Sequence, residues 1–172
     1  SVDFDFFSPT NPVLEEWRTA IVAALALKEE VEIQSQNDGT LLLRLDDVPM
    51  SFFRYPYPFI ASPIGMDNLQ IASVLDIGLM KIAAIIGRGR KRDFVDLYFV
   101  MQMIPLADLF ERSTEKFPNV RDFGMQAARA LVYFADAEAD KMPRMFQPVQ
   151  WGRVKKYFER EVAKISKGWV GV

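Results

Sequence analysis

Two aspartates near the start of the chain, Asp3 and Asp5, are two residues apart in a run that alternates polar and apolar side chains, Ser1-Val2-Asp3-Phe4-Asp5-Phe6-Phe7. Alternate residues of a strand point to the same side, so this spacing sets two carboxylates together while Val2, Phe4 and Phe6 face a core. Like charges this close are unfavourable unless a cation neutralises them. Paired hard oxygen ligands suit Mg2+ or Mn2+, which can polarise a phosphate and activate an attacking hydroxyl. Without a cation, the same spacing reads as an exposed strand face near a turn.

A second group of candidates runs from Asp76 to Asp96. Lys81 stands on an otherwise apolar helix among Ile77, Met80, Ile82, Ala84 and Ile85. Such a lysine either snorkels to water or supplies a fixed positive charge to a phosphate. Gly87-Arg88-Gly89-Arg90-Lys91-Arg92 reads as a tight basic turn. Glycine lets a backbone approach a ligand, and the guanidinium groups of Arg88, Arg90 and Arg92 match phosphate oxygens bidentately. A solvated loop after a helix C-terminus would carry the same charges. Asp93 and Asp96 share a helix face. They read either as an N-cap with its first-turn partner or as acids ordering the cations beside them. Asp76 is the third-position acid of a capping box with Ser73 and is assigned to structure. Metal-binding carboxylates, a lysine, arginines and an anchoring acid are the groups that phosphoryl or nucleotidyl transfer uses, because that chemistry is mostly positioning and charge neutralisation.

Composition narrows the alternatives. The chain has no histidine and no cysteine, which excludes Ser-His-Asp catalysis, histidine or thiolate metal sites and disulfides. The absence of cysteine fits a reducing compartment. Half of the 172 residues are apolar and 26% are charged, as in a soluble globular protein. The formal net charge is -2, so any nucleic-acid binding needs a local basic patch. No apolar run reaches the roughly 18 residues of a membrane span, and no basic-then-apolar leader opens the chain. These features read together as cytoplasmic.

The elements that must hold these groups follow from periodicity. The opening strand is followed by a turn at Ser8-Pro9-Thr10-Asn11-Pro12. Asn11 as N-cap and Pro12 at the first position start a helix to about Leu27, with Leu14, Trp17, Ile21 and Leu25 inward. Strands are expected at 31–36, 40–45 and 50–55, with turns at Asn37-Asp38-Gly39 and Asp46-Asp47. The prolines from Tyr55 to Pro63 predict an extended connector. Helices are expected at about 74–86, 92–103, 105–118, 119–137 (capped by Asn119) and 151–166, the last with Val154, Tyr157, Phe158, Val162 and Ile165 inward. The predicted class is α+β: a mixed sheet with flanking helices over residues 1–70, and a helical C-terminal part over 71–172. The abrupt start predicts that Ser1 lies inside a larger natural protein.

The motifs S-x-D-F-D-x-F-S at 1–8, D-I-x-x-x-K-x-x-A at 76–84 and G-R-x-R-x-R-D-F-x-D-L at 87–97 resemble those of the AbiEii/AbiGii toxin nucleotidyltransferases, of the polymerase-beta-like nucleotidyltransferase superfamily. The resemblance runs over nearly the whole chain. It implies a nucleotidyltransferase core whose amino-terminal part precedes Ser1, Mg2+ or Mn2+, a nucleoside triphosphate substrate, a tRNA acceptor and a neutralising antitoxin protein. Asp3 and Asp5 match the metal-binding acids, Lys81 the lysine of the third motif, and Asp96 with Asp93 the acids of the fourth. Two departures stand out. The family's triphosphate-cradling Gly-Gly or Gly-Ser segment would lie upstream of Ser1. Many superfamily members also carry a third acid on a later strand, here the segment 50–53, where Ser51 stands. These departures define the alternative expectation: a non-catalytic nucleotide- or partner-binding module of the same fold.

Overall fold

In a computed structural model, residues 3–8 and 15–170 are described. The chain forms two compact units, Ser1–Pro58 and Phe59–Val172. Asn11, Pro12 and Leu14, expected at the start of the first helix, and Val2, expected in the core, lie outside the described residues.

The first unit is a four-stranded mixed sheet in the order β1-β4-β3-β2. Strand β1 (Phe4–Ser8) is followed by α1 (Glu15–Ala26), β2 (Val31–Asn37), β3 (Thr40–Leu45) and β4 (Val48–Arg54). The β2-β3 and β3-β4 pairs are antiparallel hairpins, and β1 runs parallel to β4. Both turns fall where the sequence places them. Gly39 takes φ +77° and Asp46 takes φ +49°, a left-handed conformation that a short polar side chain tolerates. Leu41 and Leu43 are fully buried, and Ile21, Val22, Leu25, Val31, Leu45, Met50 and Phe52 pack on them. The apolar stripe of α1 runs through Ile21, Val22 and Leu25. Trp17 stands at one edge of that stripe, about 40° from Ile21 and about 140° from Val22, and it is 54% exposed, contrary to its expected inward position. Phe6 stacks on Phe52 at 4.9 Å, but Phe4 is 49% exposed. Among the described residues β1 has β4 as its one neighbour in the sheet, which leaves Phe4 only partly covered.

The second unit begins with a hairpin of β5 (Ile64–Met66) and β6 (Leu69–Ile71), turned at Asp67 with φ +52°. The prolines around it predict only an extended connector. Six helices follow: α2 (Val74–Arg88), α3 (Lys91–Val100), α4 (Leu106–Lys116), α5 (Phe123–Ala130), α6 (Ala135–Glu138) and α7 (Trp151–Val170). Leu79, Ile82, Phe94, Leu97, Leu109, Leu131, Val154 and Phe158 form its fully buried core. Phe94 is the aromatic hub, 5.3 Å from Phe134, 5.8 Å from Trp151 and 5.4 Å from Phe158. The single helix expected over 119–137 is two helices, and Asp122 rather than Asn119 stands at the N-cap. The break falls at Val132-Tyr133, residues of modest helix propensity, and it leaves Phe134 free to meet Phe94.

The charge that organises this unit is buried. Asp76 and Lys116 form an ion pair of 2.7 Å with side chains 0% and 2% exposed. Asp76 also accepts hydrogen bonds from Ile60 N, Ala61 N and Ser73 Oγ, while its own N–H donates to Ser73 Oγ. The connector, the start of α2 and the end of α4 thus meet on one carboxylate. Burial pushes the Asp76 carboxyl up, but the bonds from Lys116, then Ser73, Ile60 and Ala61, outweigh it and hold the group below its ordinary value of 3.8.

Lys116→Met leaves that carboxylate buried without its counter-charge and is expected to cost about 3–5 kcal/mol in urea unfolding, more than the double variant Asp76→Asn/Lys116→Met. A lowered carboxyl pKa stabilises the fold above the ordinary value and loses that contribution as pH falls through the folded one. Thermal melts should therefore show the wild type losing stability between about pH 5 and pH 3, with Asp76→Asn less stable at neutral pH and flatter across that window.

Candidate active site

Lys81 lies on the middle turns of α2, and Asp93 and Asp96 on the first turns of α3. The two helices are joined by a tight reversal. Gly87 and Arg88 are the last residues of α2, Gly89 closes it with φ +51° and an N–H donated to Ile85 O, and Arg90 is the N-cap of α3. The basic turn expected over 87–92 is thus two residues long, and both flanks are helical. A left-handed residue at 89 is what brings the two helices back side by side, and glycine takes that conformation without strain.

The reversal puts four charges of this segment in one network. The Lys81 Nζ is 2.5 Å from Asp96 Oδ2 and 3.5 Å from Asp93 Oδ1. Arg88 forks onto Asp93, Nε to Oδ2 at 2.9 Å and Nη2 to Oδ1 at 3.0 Å. Asp93 is fully buried, Lys81 is 27% exposed, and Asp96 and Arg88 are about half exposed at 47% and 51%. Both oxygens of Asp93 are engaged by cations, so this residue orients Lys81 and Arg88 from behind. Asp96 fixes Lys81 from the solvent side. Among charge-assisted bonds, the forked Arg–carboxylate arrangement is the geometrically most restrictive.

The remaining cations of the segment go elsewhere. Arg90 pairs with Asp140 at 2.9 Å. Lys91 is buried, with its Nζ donating to the carbonyls of Glu138 and Asp140 and its N–H to Asp140 Oδ2; it also stands 5.2 Å over the Trp151 ring. Arg92 is exposed and makes no ion pair among the described residues. Asp140 thereby pins the start of α3 to the segment ahead of α7, an anchor 49 residues away that no local sequence pattern announces.

In the first unit Asp3 immediately precedes β1 and Asp5 lies on it, both exposed. Asp5 is the register partner of Ser51 on the parallel neighbour β4, so the hydroxyl of Ser51 stands on the carboxylate's side of the sheet, opposite the face lined by Leu41 and Leu43. That is the position at which the superfamily's third acid was expected. No group of three acidic ligands occurs among the described residues. Two exposed carboxylates with an adjacent hydroxyl nevertheless fit Mg2+, which keeps several waters and needs only one or two protein carboxylates.

One cleft is built from residues that the sequence does not mark as functional. It holds about 450 Å³ and is lined by Tyr98, Phe99, Gln102, Met103, Gln147, Pro148, Val149 and Arg153. It joins the end of α3 to the start of α7 across the loop that contains Pro143 and Pro148. A cleft made by three separated segments leaves no periodic trace in the chain.

The family model described as "Nucleotidyl transferase AbiEii toxin, Type IV TA system" matches residues 1–169. An uncharacterized protein of Aquifex aeolicus, aq_aa25, is 33% identical over 168 residues, covering 94% of this chain and 78% of that one. The crystal structure of JHP933 from Helicobacter pylori aligns over 99% of this chain and 81% of its own, at 14% identity and a TM-score of 0.40. Among the described residues no helix is long and apolar enough to cross a membrane. The chain belongs to the nucleotidyl transferase AbiEii toxin family of type IV toxin–antitoxin systems.

Proposed function

We propose that the chain is a metal-dependent nucleotidyltransferase that moves a nucleotide from a nucleoside triphosphate to an acceptor hydroxyl, with tRNA as the acceptor, in a system whose other component is an antitoxin protein. The observation that carries this reading is the Lys81–Asp96 and Arg88–Asp93 network, two cations held in place by acids on a neighbouring helix. Preorganised cations stabilise charge that develops in a transition state without reorganising at the moment of reaction. Lys81 and Arg88 contact the triphosphate, Arg90 and Arg92 add positive charge around the reversal, and Asp93 and Asp96 position the cations. Asp3 and Asp5 would hold Mg2+ or Mn2+, which supplies charge neutralisation and a more acidic acceptor hydroxyl when bound. The acceptor oxygen bonds to the α-phosphorus, the bond from that phosphorus to the bridging oxygen breaks, pyrophosphate leaves, and one proton is released.

The second reading is a binding module of the same fold, favoured by Ser51 at the register position beside Asp5. Calorimetry separates the two, since nucleoside triphosphate bound without turnover supports the module.

Incubation with labelled nucleoside triphosphates, Mg2+ and total tRNA is expected to transfer label. Asp5→Ala and chelation of the metal should abolish it, and Lys81→Met should lower it about 10²–10³-fold. Transfer that Asp5→Ala leaves undiminished would sink the reading. Asp96→Asn is expected to lower kcat about tenfold while leaving the KM for nucleotide unchanged or lower, because the carboxylate that orients Lys81 also competes with the triphosphate for it.

A further inference from the structure

Helix α7 carries its positive charge in a stripe. Arg153, Lys156, Arg160, Lys164 and Lys167 are all exposed and recur at steps of three, four, four and three residues. At 100° per residue they fall within an arc of about 80°, along about 21 Å of helix. No acid shares that arc: Glu159 and Glu161 lie to either side of it. Arg160 and Lys164 are both paired to the single carboxylate of Glu161, whereas Arg153, Lys156 and Lys167 make no ion pair among the described residues. The opposite face of α7 is used up in the core through Val154, Phe158 and Val162, so the helix cannot lay an apolar side into a lipid surface. In a chain of formal net charge -2, such a stripe supplies the local basic patch that polyanion binding requires.

The stripe has a direction. Arg153, its first cation, also lines the 450 Å³ cleft. That volume suits a small planar group. Phe99 offers a half-buried aromatic ring braced edge-on by Tyr98 at 5.3 Å. Gln102 donates to Tyr98 O and keeps its amide oxygen for a ligand, and Gln147 is exposed at the rim. An aromatic ring with two carboxamides is the equipment for stacking an unpaired base and hydrogen-bonding its edge. Phe99 is one helical turn beyond Asp96 on α3.

We infer that α7 and this cleft form the docking site of a single-stranded polynucleotide: backbone phosphates lie along Arg153, Lys156, Arg160, Lys164 and Lys167, and one unpaired base enters the cleft against Phe99. The inference rests on the nucleotidyl-transfer reading only in naming the bound strand as the acceptor. The position of Phe99 sets that strand's end beside the Lys81–Asp96 pair.

The test is fluorescence anisotropy with the full chain and no nucleoside triphosphate, using labelled single strands of about 12 nucleotides, one RNA and one DNA, each with and without an abasic site at its end. Either strand is expected to bind, with an affinity that falls as salt rises. Lys156→Glu should weaken binding about tenfold, while Arg129→Glu, an equal reversal on α5, should not. Lys156→Ala should reduce the salt slope by about 0.7, one phosphate contact. The abasic end and Phe99→Leu should each cost about tenfold. The inference is overturned if neither strand binds, if Arg129→Glu is as damaging as the α7 reversal, or if poly-glutamate competes as well as the oligonucleotide, which would make the stripe a surface for an acidic protein. An abasic end that binds as tightly as the intact one removes the base from the cleft. Asp5→Ala should bind strands normally. Binding without label transfer leaves this site standing and sinks the reaction, and label transfer without strand binding does the reverse.

Discussion

A carboxylate shut away from water with a single ammonium beside it governs the second unit. Asp76 and Lys116 come from helices 40 residues apart in sequence, and neither can be exposed without unpacking the other. Removing two such charges from water is costly, and their attraction offsets that cost only when the remaining lone pairs are satisfied. Here they are: Ser73 Oγ and the N–H groups of Ile60 and Ala61 complete the shell around Asp76. The consequence is registration. The start of α2 is fixed to the end of α4 and to the connector at 60–61, which sets where Lys81 stands two turns along α2. The site's geometry therefore depends on a pair that touches none of its residues.

A second constraint acts from the other helix. Arg90, the N-cap of α3, and Lys91, its first residue, are both tied to Asp140, and Lys91 also lies against Trp151 at the start of α7. With α2 registered by Asp76 and α3 by Asp140, the reversal at Gly89 is held at both ends. Gly78, on the buried side of α2, lets Val100 and Leu109 come so close that an added Cβ would stand 2.9 Å from each. Close packing of this kind transmits position rather than absorbing it.

What was legible in the sequence was local. Alternation marked β1, the turns Asn37-Asp38-Gly39 and Asp46-Asp47 delimited β2 to β4, and Ser73 with Asp76 marked the start of α2, because each of these signals is complete within a few residues. The chemically able residues were also legible by type, and Lys81, Arg88, Asp93 and Asp96 do come together. The misses were of another kind. Asp76 looked fully explained by its cap, since nothing nearby announces Lys116. Lys91 read as one more cation of a solvated turn, yet its partners lie 47 and 49 residues on. Trp17 is apolar enough for a core that the narrow stripe of α1 does not offer it. The α7 stripe is present in the spacing of its cations, but the apolar period that marks a helix reports its inward face and not its outward one.

The network at the reversal is neutral: two cations and two acids. Neutrality raises the question of how a triphosphate would find positive charge there, and the exposures answer it. Asp93 is fully buried and bridges both cations, so it cannot leave without stranding a charge in the core. Asp96 is 47% exposed, and an ion pair that water reaches is weak and readily exchanged. A polyanion approaching from solvent therefore meets one replaceable carboxylate and one permanent one. Displacing Asp96 from Lys81 frees a lysine whose position Asp93 still fixes, while Arg88 stays forked on the same buried acid. In the proposed reaction the resting network is thus a closed form of the triphosphate site, and burial alone decides which of the two aspartates gives way.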